Sequence, residues 1–331
     1  MKEEPLLAVV IPVYNAELYF RECLEHIQNQ TYKNWVCYIT DNCSTDKTHE
    51  IALEFAEKDT RFKVFRNPET VYICDNFNIA YSRIKDLGAK YSKVEPGDDW
   101  SYPECFEKMI EVLESDEKVG ACFAYSLKGE EVYCDGLDIN RGNIYEGKEL
   151  IHKYLKNEGY YVGCLGTPMY RVEALRELDS DLKVYNPHNF HNDIQLAHDV
   201  LIKWKAGFVY QVLTYYRQHS EQGLAIALRL KTDLFGKEYQ YSNFLSTFDD
   251  IQEEYREHRL DYALFYLHQR RNKETEYIEW HDKYLVDYLK KPILREEENA
   301  AIAREMKRNA KAMYVHFKRF IKSALLYFYR K

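Results

Sequence analysis

Along its first hundred residues the chain alternates short apolar runs with segments whose apolar residues recur at helical spacing. The run "LLAVVIPV", residues 6–13, reads as a buried strand, being too short to span a bilayer and interrupted by Pro12. After it, Phe20, Cys23, Leu24 and Ile27 recur at i, i+3, i+4 and i+7, which predicts a helix from about Glu17 to Gln30 with one apolar face. "WVCYIT" predicts a second strand ending at Asp41. "DNCSTDKT" supplies helix-start residues, Ile51 and Phe55 lie one turn apart on the helix that follows, and "FKVFR" predicts a third strand. A short strand, "YSKV", precedes "EPGDDW", where two adjacent carboxylates follow a Pro-Gly bend. Strands alternating with helices of this length imply parallel pairing by right-handed crossovers, with ligands outside the carboxyl ends of the strands. Tyr14, Asn15, Asp41 and the Gly97-Asp98-Asp99 turn are therefore expected along one rim.

From about 120 to 222 the pattern is mixed: apolar "VGACFAYS", the glycine-rich "YYVGCLGTPMYR", a helix over about Val172 to Leu178, then "NPHNFHNDIQLAHDVLIKW". Beyond about Gly223 strand signals fade and long helical patterns rich in Tyr, Lys and Glu take over. The expected organisation is an α/β domain over 1–222 and a helical C-terminal region over 223–331, without tandem repeats.

Composition refines this. The chain has 331 residues, is 46% apolar and can bury at least one full core. Its eight cysteines all fall in the first half, with no C-x-x-C pair and no secretory signal ahead of them, so reduced thiols in a cytoplasmic protein are expected. Net charge is −8, yet residues 301–331 hold nine Lys or Arg against one acid, Glu305. An acidic body argues against nucleic acid as the main partner, and a basic tail points to a local acidic surface.

Neither common phosphate cradle is present: there is no G-x-G-x-x-G after the first strand and no G-x-x-x-x-G-K-[ST] anywhere. Nicotinamide dehydrogenases and P-loop NTPases lose their main support. The Asp98-Asp99 pair reads either as a surface turn or as a site for a hard cation, which takes carboxylate, phosphate and water oxygens. His188, His191 and His198 crowd one loop, but H-x-x-H in a Pro/Asn-rich context is a weak zinc signal.

Several segments in order carry a resemblance: "VVIPVYNAELYFRECLEHIQNQTYKNWVCYITDNCSTDKT", "NFNIA", "GAKYSKVEPGDDWSYPECFEKMIEVLE", "GTPMYRVEAL" and "NDIQLAHDVLIKWKAGFVYQVLTYYRQHS". Over about residues 7–221 the chain resembles the family 2 inverting glycosyltransferases of GT-A fold. The resemblance implies a mostly parallel, Rossmann-like sheet flanked by helices. It puts Pro12, Tyr14 and Asn15 on the first nucleotide-binding loop, and Asp41 on the acid that meets the base. Ser44 and Asp46 fill the following S-x-D, where turn or cap chemistry is an equal reading. Pro96 stands where the family usually has the first acid of its metal motif. Asp98 is then the favoured ligand for Mn or Mg, Asp99 a second ligand or a ribose contact, and His219 of "YYRQH" a third ligand. Glu95 could replace the missing acid, although the strand register points it to the other face. In "NDIQLAHDV" Asn192 replaces a family acid and Asp193 is retained as the general base.

The resemblance thus implies transfer of a sugar, with inversion, from a nucleotide-sugar, most readily a UDP-sugar, to a hydroxyl of a saccharide or lipid-linked saccharide. A metal-dependent nucleotidyltransferase is an alternative, as is a catalytically weak saccharide- or nucleotide-binding relative. A homodimer is compatible with the sequence. At 100° per residue the segment 304–330 forms a basic amphipathic helix. It is expected either to pack on protein or, as the favoured reading, to lie on the anionic inner face of the membrane.

Overall fold

The computed structural model describes residues 4–132, 134, 137, 139–159, 162–186, 191–219, 232–272, 294–308 and 311. Strand β1 (Leu7–Val13) is buried along its whole length. Helix α1 (Phe20–Gln28) buries the predicted Phe20, Cys23, Leu24 and Ile27 but starts three residues later than expected. The reason is that the amides of Ala16 and Glu17 are taken by Thr48 Oγ1 and Asp46 Oδ2, at 2.7 and 3.0 Å, so these residues belong to a loop. There follow β2 (Trp35–Asp41), α2 (Thr48–Lys58), β3 (Phe62–Arg66), α3 (Ile73–Ser82), β4 (Tyr91–Val94), β5 (Trp100–Ser101), α4 (Cys105–Ser115) and β6 (Val119–Lys128). The remaining elements of this part are β7 (Glu131–Val132), β8 (Ile144–Tyr145), α5 (Gly147–Leu155), β9 (Met169–Arg171), α6 (Val172–Arg176), α7 (Asn192–Leu201) and β10 (Lys205–Tyr216).

The sheet runs β3-β2-β1-β4-β9-β6-β10-β5. The first four strands are parallel, with Val13 opposite Asp41 and Asp41 opposite Arg66, so these positions share one edge. The long β6–β10 ladder is also parallel, whereas the three-residue β9 lies antiparallel between β4 and β6. This is a mixed sheet whose long ladders are parallel, the GT-A arrangement. The apolar face of α1 shares one core with Leu7, Val9 and Ile11 of β1 and with Phe106 and Met109 of α4. Each such side chain contributes up to about 1.5–3 kcal/mol on burial. Among the described residues no cysteine is in a disulfide, and all are buried except Cys43, which is partly exposed.

Two compact units divide at Gly236, while the boundary expected near Gly223 lies outside the described residues. The second unit contains α8 (Thr232–Phe244) from Lys237 on, α9 (Gln252–Asn272) and a helix over 295–308. Its interior sets an ionic cluster beside the buried Tyr241, Phe244, Ile251 and Tyr262. The buried Glu238 carboxylate lies 3.2 Å from His258 Nε2 and 3.4 Å from Arg259 Nη1, and Arg259 donates two hydrogen bonds, of 2.7 and 2.6 Å, to Glu297. Burial alone would raise the Glu238 carboxyl, but His258 and Arg259 outweigh it and hold the group below its usual range. Of the predicted basic helix, Arg304 sits against the acids of α9, 2.8 Å from Glu257 and 3.3 Å from Asp261. Lys307, Arg308 and Lys311 are exposed, and 312–331 lies outside the described residues. Among the described residues no helix is long and apolar enough to cross a membrane.

Candidate active site

The carboxyl ends of β1 and β2 carry two loops stitched to each other. Asn15 adopts the left-handed conformation (φ 47°) that asparagine tolerates better than most residues. Its amide donates to Ser44 Oγ at 3.0 Å, and its Oδ1 accepts from the Thr45 amide at 2.9 Å. Asp46 accepts from the amides of Glu17 and Thr48, and Glu17 Oε2 accepts from the Lys47 amide at 2.9 Å. Burial would raise the Asp46 carboxyl, but the Thr48 hydroxyl and these amides lower it overall. Ser44 and Asp46 thus act on the neighbouring loop, and Pro12 is buried within β1, opposite Thr40. Tyr14 is half exposed at this rim. The Asp41 side chain is buried: Oδ1 accepts from the Ser44 amide at 2.9 Å, and Oδ2 lies 3.2 Å from both His49 Nδ1 and Arg66 Nη1.

Behind these loops Asn42, Asn67 and Asn76 form a buried amide cluster. Asn67 Nδ2 donates to the Oδ1 atoms of Asn42 and Asn76, and Asn42 holds both the amide and the carbonyl of Val71. The start of α3 is thereby fixed at the same rim.

The Pro96-Gly97-Asp98-Asp99 turn lies next along the sheet. A Cβ on Gly97 would stand 2.9 Å from Val13 Cγ2, and one on Gly166 2.8 Å from Pro96 Cδ, so two glycines let the turn nest between β1 and the 163–167 loop. Glu95 does not stand in for the missing acid. It is buried, accepts from Ser101 Oγ at 2.5 Å and pairs with Lys93 at 2.8 Å. Asp99 is also buried, its Oδ1 accepting from the Arg217 amide at 2.9 Å. Burial first, and the adjacent Asp98 second, push its carboxyl well above the usual range. Asp98 is partly exposed, and its Oδ2 lies 3.0 Å from His219 Nε2.

The contact is a direct hydrogen bond or ion pair, and its length also equals the spacing of neighbouring ligands on an octahedral ion, which at about 2.1 Å stand about 3.0 Å from each other. Among the described residues no three His, Cys, Asp or Glu side chains converge as a complete metal cage. Asp98 and His219 are thus brought into direct contact, and Asp99 faces the Arg217 backbone.

Asp193 lies in the first turn of α7, partly exposed, with Oδ1 accepting from the Ile194 amide at 2.8 Å. Burial raises its carboxyl from the ordinary range, while nearby His191 works the other way. Asn192 points inward: its Nδ2 donates to Cys74 Sγ at 3.2 Å and to the Asn186 carbonyl at 3.1 Å, and its Oδ1 accepts from the Asn186 amide. This clasp brings the start of α7 to the start of α3, at the strand carboxyl ends. His198 is buried within α7, and His188 lies outside the described residues. Sequence reasoning missed Arg217, Arg66, Glu22 and the asparagine cluster. Only Arg217 had a visible signal, its place inside "YYRQH".

EpsH of Bacillus subtilis (strain 168), whose name assigns it to the glycosyltransferases, is 26% identical over 242 residues, covering 68% of this chain and 67% of EpsH. TuaG of the same organism, named for teichuronic acid biosynthesis, is 28% identical, covering 49% of this chain and 61% of TuaG. The chain spans only 22% of a longer relative, GlyA of Streptococcus pneumoniae serotype 4. Among solved structures, S. aureus TarS 1-349 in complex with UDP-GlcNAc superposes with a TM-score of 0.54 at 14% identity, covering 85% of this chain and 91% of that one. The mannosyltransferase PcManGT of Pyrobaculum calidifontis, in complex with GDP-Man and Mn2+, gives 0.56 at 14% identity over 95% and 82%. At these identities the structures establish the GT-A fold. Residues 8–179 match the family as a whole, more than half of the chain, and the protein therefore belongs to glycosyl transferase family 2.

Proposed function

We propose that this family 2 glycosyltransferase moves a sugar, with inversion, from a UDP-sugar to a hydroxyl of a saccharide or lipid-linked saccharide during surface polysaccharide synthesis. The observation that carries the reading is the 3.0 Å approach of Asp98 Oδ2 to His219 Nε2 beside a rim that presents Tyr14. The names of TuaG and of the TarS complex support the pathway class and the uridine nucleotide.

In this reading Asp98 and His219 would hold Mn or Mg, which would supply positive charge where the departing diphosphate becomes more negative. Asp99, kept in place by the Arg217 amide, lies behind the pair. Asp193 takes the proton from the acceptor hydroxyl as that oxygen attacks the anomeric carbon. Its carboxyl is raised by partial burial and so is more basic than an exposed aspartate. Such a base contributes about 10²- to 10⁴-fold. Asn192 cannot share this role, since both ends of its amide are engaged.

The reading places the protein in the cytoplasm, with the exposed Lys307, Arg308 and Lys311 facing an anionic leaflet and Arg304 retained by Glu257 and Asp261. Each basic residue near such a surface contributes about 1 kcal/mol. Sedimentation with vesicles of graded anionic content checks this part, and an intact chain indifferent to lipid charge and salt removes it. The transfer reading is tested by incubation with a panel of sugar nucleotides and Mn, following slow release of free nucleotide. Release from none of them, with no binding of any, overturns it.

A further inference from the structure

The segment leaving β10 contains a cation that the chemistry above does not use. Tyr215 stands opposite Trp100 in the antiparallel β10–β5 pairing, and the same register carried two residues further sets Arg217 against Asp98. The contacts follow that register. The Arg217 amide donates to Asp99 Oδ1 at 2.9 Å, and its Nε donates to the Asp98 carbonyl at 2.9 Å. Its Nη2 pairs with Glu22 of α1. The guanidinium is stacked between two rings, 4.5 Å from that of Tyr19 and 4.8 Å from that of Trp100. Trp100 is itself fixed between Tyr215, parallel at 3.9 Å, and His26 at 5.3 Å. Tyr19 also meets His219, at 5.0 Å between rings.

We propose that Arg217 is a positioning residue, tying α1, the Asp98-Asp99 turn and His219 into the arrangement that accepts a divalent cation with its diphosphate. A guanidinium repels a cation, so Arg217 cannot be a ligand. Its charge is turned toward Glu22, which leaves the Asp98 carboxylate to His219 and preserves negative potential at the site. Its planar fork reaches a backbone carbonyl and a carboxylate at once, which an ammonium does not reproduce. The turn has only two acids, and one of them, Asp99, is buried beneath the Arg217 amide. Holding the backbone is therefore the means available to orient the other.

This inference rests on the cation-held donor reading and is tested by calorimetric titration of UDP with Mn and with EDTA. The wild-type chain is expected to bind UDP more tightly in Mn. Arg217→Ala is expected to weaken the Mn-supported affinity by about 10- to 100-fold, the range for loss of a group that orients a metal ligand, while leaving the EDTA affinity nearly unchanged. Arg217→Lys should recover only part of the loss, and Glu22→Gln should show a smaller loss in the same direction. These two variants carry the test if the alanine variant does not fold. Direct titration of Mn by electron paramagnetic resonance should show the same order. Arg217 variants with the wild-type gain from Mn would overturn the inference and leave the donor reading standing. An equal loss in EDTA and in Mn would make Arg217 a direct diphosphate ligand and also overturn it. A wild-type chain that gains nothing from Mn would remove the cation reading and the inference together.

Discussion

Lys93 Nζ lies 2.8 Å from Glu95 Oε1, and neither side chain reaches solvent. Burial by itself would depress the Lys93 ammonium, but the Glu95 carboxylate outweighs it and the net displacement is upward. Lys93 also donates to the Gly166 carbonyl, and Glu95 accepts from Ser101, so the pair joins β4, β5 and the 163–167 loop beneath the candidate cation site. Removing one member of such a pair strands the other without water. Lys93→Met or Glu95→Leu alone is expected to cost about 3–5 kcal/mol in urea unfolding, and the double variant much less than the sum. Single variants with wild-type midpoints would show the pair to be energetically idle.

Asp193→Asn is expected to lower transfer by at least about 10²-fold, because the amide keeps the shape and cannot take a proton. Donor affinity should stay within a few-fold of wild type. The check is steady-state kinetics alongside UDP titration, and retained turnover would move the base elsewhere.

Asp98→Ala should weaken Mn-supported UDP binding more than Asp99→Ala does. The oxygen of Asp98 faces His219, while that of Asp99 faces the Arg217 amide. The reverse order in calorimetry would make Asp99 the principal ligand.

Asp199, two turns along α7 from Asp193, has its carboxyl pushed up to about 6 by burial, with a smaller opposing effect from Gln195. The unfolded chain binds this proton only below about 3.9. Between those values the folded state holds more protons, so this group lowers stability as pH rises from about 4 to 6, and its cost is fully present above 6. Asp199→Asn should therefore stabilise the protein by roughly 1–3 kcal/mol at pH 7.5 and hardly at all at pH 4. Denaturant midpoints of both proteins at the two pH values provide the check, and an equal gain at both would assign the effect to packing.

The parallel half of the sheet was legible because its physics is local. Strands β1 and β2 are apolar runs, and the face of α1 is written at helical spacing. The start of α1 was misplaced because the acceptors that hold the Ala16 and Glu17 amides in a loop come from residues about thirty positions away. At the site, Asp98 and His219 were named for a resemblance, and their meeting depends on β10 pairing with β5 across more than a hundred residues. Arg217 carries no periodic signal. Its contacts with Glu22, Asp98, Asp99, Tyr19 and Trp100 are ones that only the fold assembles. Lys93 misleads in the opposite sense, since lysine in a strand reads as solvent-facing and here is sealed inside by Glu95.

The reciprocal stitching of the β1–α1 and β2–α2 loops carries an evolutionary consequence. Backbone amides of each loop bond side chains of the other, at Asn15 with Ser44 and Thr45, Ala16 with Thr48, and Glu17 with Asp46 and Lys47. A replacement at 44, 46 or 48 leaves a backbone amide of 15 to 17 without its acceptor, and no side-chain change at 15 to 17 restores it, so each loop restricts what the other can accept. Grafting one loop alone from a relative should fail where exchanging both together succeeds.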